Sequence, residues 1–227
     1  RLSPRRRALS LLVRLGDDHD PPRRPPRPPQ GPASRQAQED DALTSATQAR
    51  AARFRALLEQ PAAHVLPGAM NALAARIIED TGFEAISVTG AGVTNASLGM
   101  PDLGLITASE LAETVHRIRD VTELPLVVDA DTGFGNALNT RRTVRSLERA
   151  GATVIQLEDQ TFPTRCGHFD DKSVVPAEEM VMKISAAVDA RSSSDLLIMA
   201  RTDAAATHGI DEAIETDQRM LIFTQYK

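Results

Sequence analysis

Between residues 42 and 203, short apolar runs alternate with amphipathic stretches, and this alternation limits the chain to a parallel β/α architecture. The runs at 64–66, 85–88, 126–128, 154–157 and 196–199 are dominated by Val, Ile, Leu and Ala. They lack the polar alternation of a half-exposed strand, which predicts strands buried on both faces. Helical patterns separate them at 71–81, 108–121, 139–150 and 176–190. Gly82 and Gly151 follow the first and third, the residue type that most readily ends a helix. Strand then helix, repeated, requires parallel strands joined by right-handed crossovers. Two solutions remain open on this pattern: an open doubly wound sheet or a (β/α)8 TIM-type barrel.

The ends of the chain read differently. Residues 1–41 contain the run Pro21-Pro22-Arg23-Arg24-Pro25-Pro26-Arg27-Pro28-Pro29. Proline lacks the amide donor of helices and ladders and favours polyproline II, so this segment is expected to be a disordered Arg/Pro-rich tail. Its start, Arg5-Arg6-Arg7-Ala8-Leu9-Ser10-Leu11-Leu12-Val13-Arg14, also has the Arg-rich amphipathic look of a mitochondrial presequence, against which stand Asp17, Asp18 and Asp20. Residues 42–227 then form the β/α domain. After residue 204 there is room for about one helix and one strand, at 220–224, whereas a complete barrel usually takes about 250 residues. A barrel is therefore expected to be incomplete at its C-terminus.

Composition excludes several classes. With 227 residues, 41% hydrophobic and 25% charged, the chain can bury a substantial core. No apolar run approaches the roughly 20 residues of a membrane span. Aromatic residues are 3% of the chain with no Trp, which removes the stacking platform of single-strand binders. Residues 1–35 hold nine Arg against three Asp, so the remainder carries −11 of a chain whose net charge is −5, unsuited to a phosphate backbone. The single Cys166 rules out an intrachain disulfide and fits a reducing compartment. A cytoplasmic location is expected, the mitochondrial matrix being the alternative.

The chemistry gathers at strand ends. Asp129-Ala130-Asp131-Thr132-Gly133-Phe134-Gly135 follows the run 126–128, and residues two apart on a strand face one side. Two buried carboxylates repel unless a cation offsets them, and oxygen ligands favour Mg²⁺, with Mn²⁺ possible on the same grounds. A solvated turn with an N-capping Asp is the plainer reading. Glu158-Asp159 ends the neighbouring run, bringing a further carboxylate beside the pair. Arg201, after 196–200, can clamp a ligand carboxylate or pair with these acids. Thr89-Gly90-Ala91-Gly92 offers either an anion-holding turn or an ordinary tight turn. In Thr164-Arg165-Cys166-Gly167-His168, Arg165 and His168 flank a thiol that they can activate for proton transfer; an isolated loop thiol would be inert.

Taken in order, Pro67-Gly68-Ala69, Ser97-Leu98-Gly99-Met100-Pro101-Asp102, Asp129-Ala130-Asp131-Thr132-Gly133, Glu158-Asp159-Gln160, Arg165-Cys166-Gly167-His168 and Ala200-Arg201-Thr202-Asp203 carry a resemblance. The chain resembles the isocitrate lyase and phosphoenolpyruvate mutase superfamily over residues 54–215, most closely its 2-methylisocitrate lyase branch. The resemblance implies a (β/α)8 barrel and a Mg²⁺ site of Asp129 with Asp102, Asp131 and Glu158, some acting through water. It implies a small 2-oxo or 2-hydroxy acid gripped by Thr89, Gly90, Ala91 and Arg201, and Cys166 as the proton donor in carbon–carbon cleavage. A homo-oligomer is implied where the full barrel is present. Thr164 stands where the lyase loop normally has Lys. The same site could support phosphonomutase or oxaloacetate-cleaving chemistry, or belong to a non-catalytic homologue that associates with full-length subunits.

Overall fold

Val, Ile and Leu side chains on runs too short for helices gain burial on both faces of a sheet. In the computed structural model, which describes residues 35–164, 173–209 and 211, they form β1 (Gly68–Ala69), β2 (Ile86–Val88), β3 (Leu126–Asp129), β4 (Val154–Glu158) and β5 (Leu197–Arg201). Every pair is parallel, and the order across the sheet is the order along the chain. A doubly wound sheet reverses its direction of growth at a switch point. Here each strand adds on the same side as the last, the succession of a TIM-type β/α barrel.

The helices are α1 (Arg35–Leu58), α2 (Ala72–Asp80), α3 (Gly90–Leu98), α4 (Ala108–Arg119), α5 (Ala137–Arg149), α6 (Ala177–Ala190) and the single turn α7 (Ala204–Thr207). Short polar side chains at Asn71, Thr107 and Asn136 cap α2, α4 and α5 by accepting first-turn amides, as N-caps do. No described helix is long and apolar enough to cross a membrane.

Strand alternation divides the core in two. Ile86, Val88, Leu126, Val128, Ile155 and Leu157 point outward beneath Leu111, Val115, Ile118, Leu147 and Ile184 of the covering helices. Ala85, Val127, Val154, Leu197 and Met199 make the inner face, where Phe54 and Leu57 of α1 pack against them. The apolar part of the inner face is its beginning, and its far end is left for polar groups. This packing belongs to the unit spanning Asp41–Lys227.

Three local expectations are corrected. The first strand is not 64–66: Val65 is 71% exposed. Pairing starts at the Pro67 carbonyl, which accepts from the Ser87 amide at 3.0 Å, because proline has no N–H to extend the ladder backwards. Helix α1 has no counterpart in the sequence pattern: among its described side chains the buried ones, Arg50, Ala51, Phe54 and Leu57, form a narrow stripe. It begins at Arg35, within the segment 1–41 expected to be unstructured; residues 1–34 lie outside the described residues, as does the strand expected at 220–224. Thr89-Gly90-Ala91-Gly92, expected as a turn, instead opens the helix α3.

Candidate active site

Register between parallel strands decides which side chains meet at their C-terminal ends, because paired residues project to the same face. Asp129 pairs with Gln156, and Glu158 with Arg201. Since Val127, Val154, Leu197 and Met199 face inward, alternation carries these four to the inner face as well, at the end where barrels of this type place their sites. Gln156 donates a side-chain hydrogen bond to Asp129. Arg201 Nη1 stands 3.2 Å from Glu158 Oε2.

Asp131 reaches the same place by a route that strand alternation does not describe. It lies beyond β3 with φ of 46°, a left-handed conformation Asp tolerates better than most residues. Its amide donates to Asp129 Oδ1 at 3.3 Å, and its carbonyl accepts from the Glu158 amide at 2.8 Å. A methyl group placed on Gly90 would sit 3.5 Å from Asp131 Oδ1 and 3.9 Å from Asp129 Oδ2, so both carboxylates face the start of α3. Thr89 is the N-cap of that helix, its Oγ1 accepting from the Gly92 amide at 3.4 Å. Gly90 and Ala91 then form its first turn, whose amides no helix carbonyl can satisfy. The positive end of α3 therefore adjoins the aspartate pair.

Burial pushes Asp131 up to about 7, with Asp129 and Asp102 adding to the effect, and Arg201 opposing it. Burial pushes Glu158 up to about 8 despite the ion pair with Arg201, because Asp129, Asp131 and Asp203 also repel its charge. Asp129 is raised by burial against the hydrogen bond from the Asp131 amide, and Asp102 is raised by burial against the pull of Arg201. Burial alone would lower Arg201; Glu158 and Asp203 outweigh it and raise the guanidinium. Among the described residues, Arg201 is the one cation that enters the balance of all these acids.

The donors are oxygens, which suits a hard divalent cation rather than a soft one. No three His, Cys, Asp or Glu side chains among the described residues form a ready-made direct ligand set. The residues accordingly fit an ion held through few carboxylates, with water or ligand oxygens completing the shell, the usual arrangement for Mg²⁺.

A supporting layer escaped the sequence reading. Asp159, 1% exposed, accepts from the Asp203 amide at 2.8 Å and from the Thr202 hydroxyl. Gln160 Nε2 donates to Asp203 Oδ2 at 2.7 Å, and Arg201 Nη2 lies 3.3 Å from the same carboxylate. Nothing in periodicity marks these residues; the signal available was the pair of polar tripeptides Glu158-Asp159-Gln160 and Arg201-Thr202-Asp203 at neighbouring strand ends. Thr164 is buried, and its Oγ1 lies 3.2 Å from where a Gly104 Cβ would stand. Arg165, Cys166 and His168 lie outside the described residues. In sequence they lie between the two sides of a short antiparallel stem, in which Gln160 pairs with Val174 and the Thr161 amide donates to the Ser173 carbonyl at 2.8 Å. A cleft of about 990 Å³ between α4 and α5 contains none of the candidate residues. The carboxylate–arginine constellation marks the site, and volume does not.

Fold and rim together define a class: a TIM-type β/α protein whose strand ends carry buried acids and one arginine. The phosphoenolpyruvate phosphomutase family model matches residues 54–224, and the chain belongs to that family, within the isocitrate lyase and PEP mutase superfamily. A 2-methylisocitrate lyase of Aeropyrum pernix is 52% identical over 165 residues, 73% of this chain and 53% of that protein. A 2,3-dimethylmalate lyase of Eubacterium barkeri is 50% identical over 165 residues, 73% of this chain and 57% of that protein. Phosphonopyruvate hydrolase in complex with oxalate and Mg²⁺ superposes with a TM-score of 0.69 at 32% identity, covering 77% of this chain and 60% of that one. The chain thus spans a little over half the length of the curated relatives it matches.

Proposed function

We propose that this chain carries the metal and oxo-acid site of a Mg²⁺-dependent carbon–carbon lyase that cleaves a 2-hydroxy di- or tricarboxylate of the 2-methylisocitrate type to a 2-oxo acid and a dicarboxylate. The observation that carries the reading is the convergence of Asp129 and Asp131 on Gly90, with Glu158 and Asp102 coupled to them and Arg201 as their cation. The relatives with matching names and the oxalate and Mg²⁺ in a superposing hydrolase support it.

Asp129, with Asp131, Glu158 and Asp102 acting directly or through water, would hold Mg²⁺. When bound, the ion supplies a fixed positive charge for the oxygens of the 2-oxo acid fragment. Arg201 and the first-turn amides of α3 at Gly90 and Ala91, capped by Thr89, bind and orient that fragment's carboxylate. In cleavage the hydroxyl proton passes to solvent water from the oxygen that becomes the 2-oxo group, and the carbon–carbon pair moves onto the departing dicarboxylate. Cys166, with Arg165 and His168 beside it in sequence, returns a proton to that carbon. For 2-methylisocitrate the products are pyruvate and succinate. We place the protein in the cytoplasm, where the thiol stays reduced, and expect a homo-oligomer.

The test follows pyruvate release by the purified chain with Mg²⁺ and 2-methylisocitrate, with Cys166→Ser alongside. The expected result is Mg²⁺-dependent release that the variant loses by at least about 100-fold, the scale of general acid catalysis. Equal turnover by the variant, or none by the parent chain, overturns the lyase mechanism.

A further inference from the structure

We propose that Asp159 and Thr202 form a positioning pair that sets the Arg201 guanidinium at the C-terminal end of the sheet and ties it to the antiparallel stem at Gln160 and Val174. The ligand that Arg201 grips rests on the function proposed above; the geometry of the pair does not.

Asp159 is buried and next to an acid already short of counter-charge, which is a costly place for a carboxylate unless its lone pairs are filled. They are filled by the exit of β5. One oxygen accepts from the Asp203 amide at 2.8 Å and the other from the Thr202 hydroxyl. These two hydrogen bonds fix the backbone immediately after Arg201. The Thr202 hydroxyl also accepts from the Ala204 amide at 3.1 Å, closing the turn into α7.

The consequence falls on the arginine. Arg201 Nη2 lies 3.3 Å from each Asp203 carboxylate oxygen, while Nη1 meets Glu158 at 3.2 Å. The Asp203 carboxylate is itself held by Gln160 Nε2 at 2.7 Å. A flexible guanidinium is thus gripped from both sides, and the grip on the Asp203 side depends on where Asp159 holds the chain. The backbone carbonyl of Asp159 also accepts from the Val175 amide at 2.8 Å, within the stem that pairs Gln160 with Val174. One residue therefore joins the arm carrying Arg201 to the stem whose two sides flank Cys166 in sequence.

The test uses the full 227-residue chain with Thr202→Val, Thr202→Ser and Asp159→Asn. Valine keeps the shape and removes the hydroxyl, serine restores it, and asparagine keeps the volume while losing one acceptor. Two readouts are taken: calorimetric titration with Mg²⁺ alone and then with oxalate in saturating Mg²⁺, and the Arg201 Nε–H resonance, assigned by its loss in Arg201→Lys. Thr202→Val and Asp159→Asn are expected to weaken oxalate by ~10-fold while Mg²⁺ affinity stays within ~2-fold, with Thr202→Ser at the wild-type value. The Arg201 resonance is expected to shift or broaden in the first two variants and to be restored by serine. An unchanged resonance and oxalate affinity in Thr202→Val overturns the proposal, as does equal weakening of Mg²⁺ and oxalate, which marks general loosening. If the parent chain binds no oxalate, the proposed function falls and the Arg201 resonance alone decides the positioning pair.

Discussion

Asp131 is where burial and charge conflict most openly. Its carboxyl is pushed up to about 7, whereas an unfolded aspartate titrates near 4. Between these values the folded chain binds a proton that the unfolded chain does not, so the contribution to stability is greatest below about pH 4 and is lost as the pH rises through about 7. Asp131→Asn removes the charge while keeping the shape. In chelator at about pH 8, urea unfolding is expected to show a gain of roughly 1–3 kcal/mol, together with a loss of at least tenfold in Mg²⁺ affinity by calorimetry. No gain in chelator would show that Asp131 is adequately solvated in the folded chain. The sequence puts Asp129, Glu158 and Arg201 at strand ends, where the structure also has them, and their shared face follows from alternation. It gives the right partner for Asp131 by the wrong geometry, since a left-handed turn and not a strand aims that side chain. It leaves the role of Asp159 unread, because the partners of that carboxylate come from the exit of β5, a contact 44 residues away.

Elements with a strong period were legible in the same way. Strands β2 to β5 and helices α2, α4, α5 and α6 fall within a few residues of the sequence reading, because each buries one continuous apolar set. α1 and α3 were not legible: the first buries a narrow stripe in a polar helix, and the second opens on glycines that read as a turn. Another device invisible to periodicity joins the elements at the opposite end of the sheet. Arg119, in the last turn of α4, donates to the carbonyls of Gly151 at 3.1 Å, Thr122 at 2.8 Å and Leu124 at 2.9 Å. Burial lowers its affinity for the proton to about 10, yet it remains charged at neutral pH, and the three carbonyls take up its donors. A Cβ on Gly151 would collide with this side chain, so that glycine serves a close approach as well as ending α5. Arg119→Met keeps most of the apolar stem and orphans three acceptors. At about 1 kcal/mol per net hydrogen bond it is expected to cost about 3 kcal/mol. For a chain of this size that is a fall of roughly 6–12 °C in thermal midpoint by scanning calorimetry. A fall under about 2 °C would mean that water replaces the guanidinium at no cost.

For the whole molecule, the acids at the strand ends make stability, metal binding and pH one linked problem. Asp131 and Glu158 are raised to about 7 and about 8, and Asp129 and Asp102 are raised in the same direction, so the folded chain holds protons that the unfolded chain has released. Unfolding free energy in chelator should therefore fall as the pH rises from about 5 to about 8, opposite to the trend of a protein stabilised by ionised, paired carboxylates. A divalent cation offsets the same repulsion, and binding it must expel the protons. Titration with Mg²⁺ near pH 7, in two buffers of different ionisation enthalpy, is expected to show net proton release that is smaller in Asp131→Asn, where the share of Glu158 remains. At 100 times its dissociation constant, Mg²⁺ adds about 2.7 kcal/mol through linkage alone, and the affinity itself should rise from pH 6 to pH 8 as the acids deprotonate. The thermal midpoint with saturating Mg²⁺ should then be nearly independent of pH over the interval in which the chelated chain weakens. A midpoint that falls equally with and without Mg²⁺ would locate the cost of rising pH elsewhere in the molecule and remove the electrostatic ground for a cation at these strand ends.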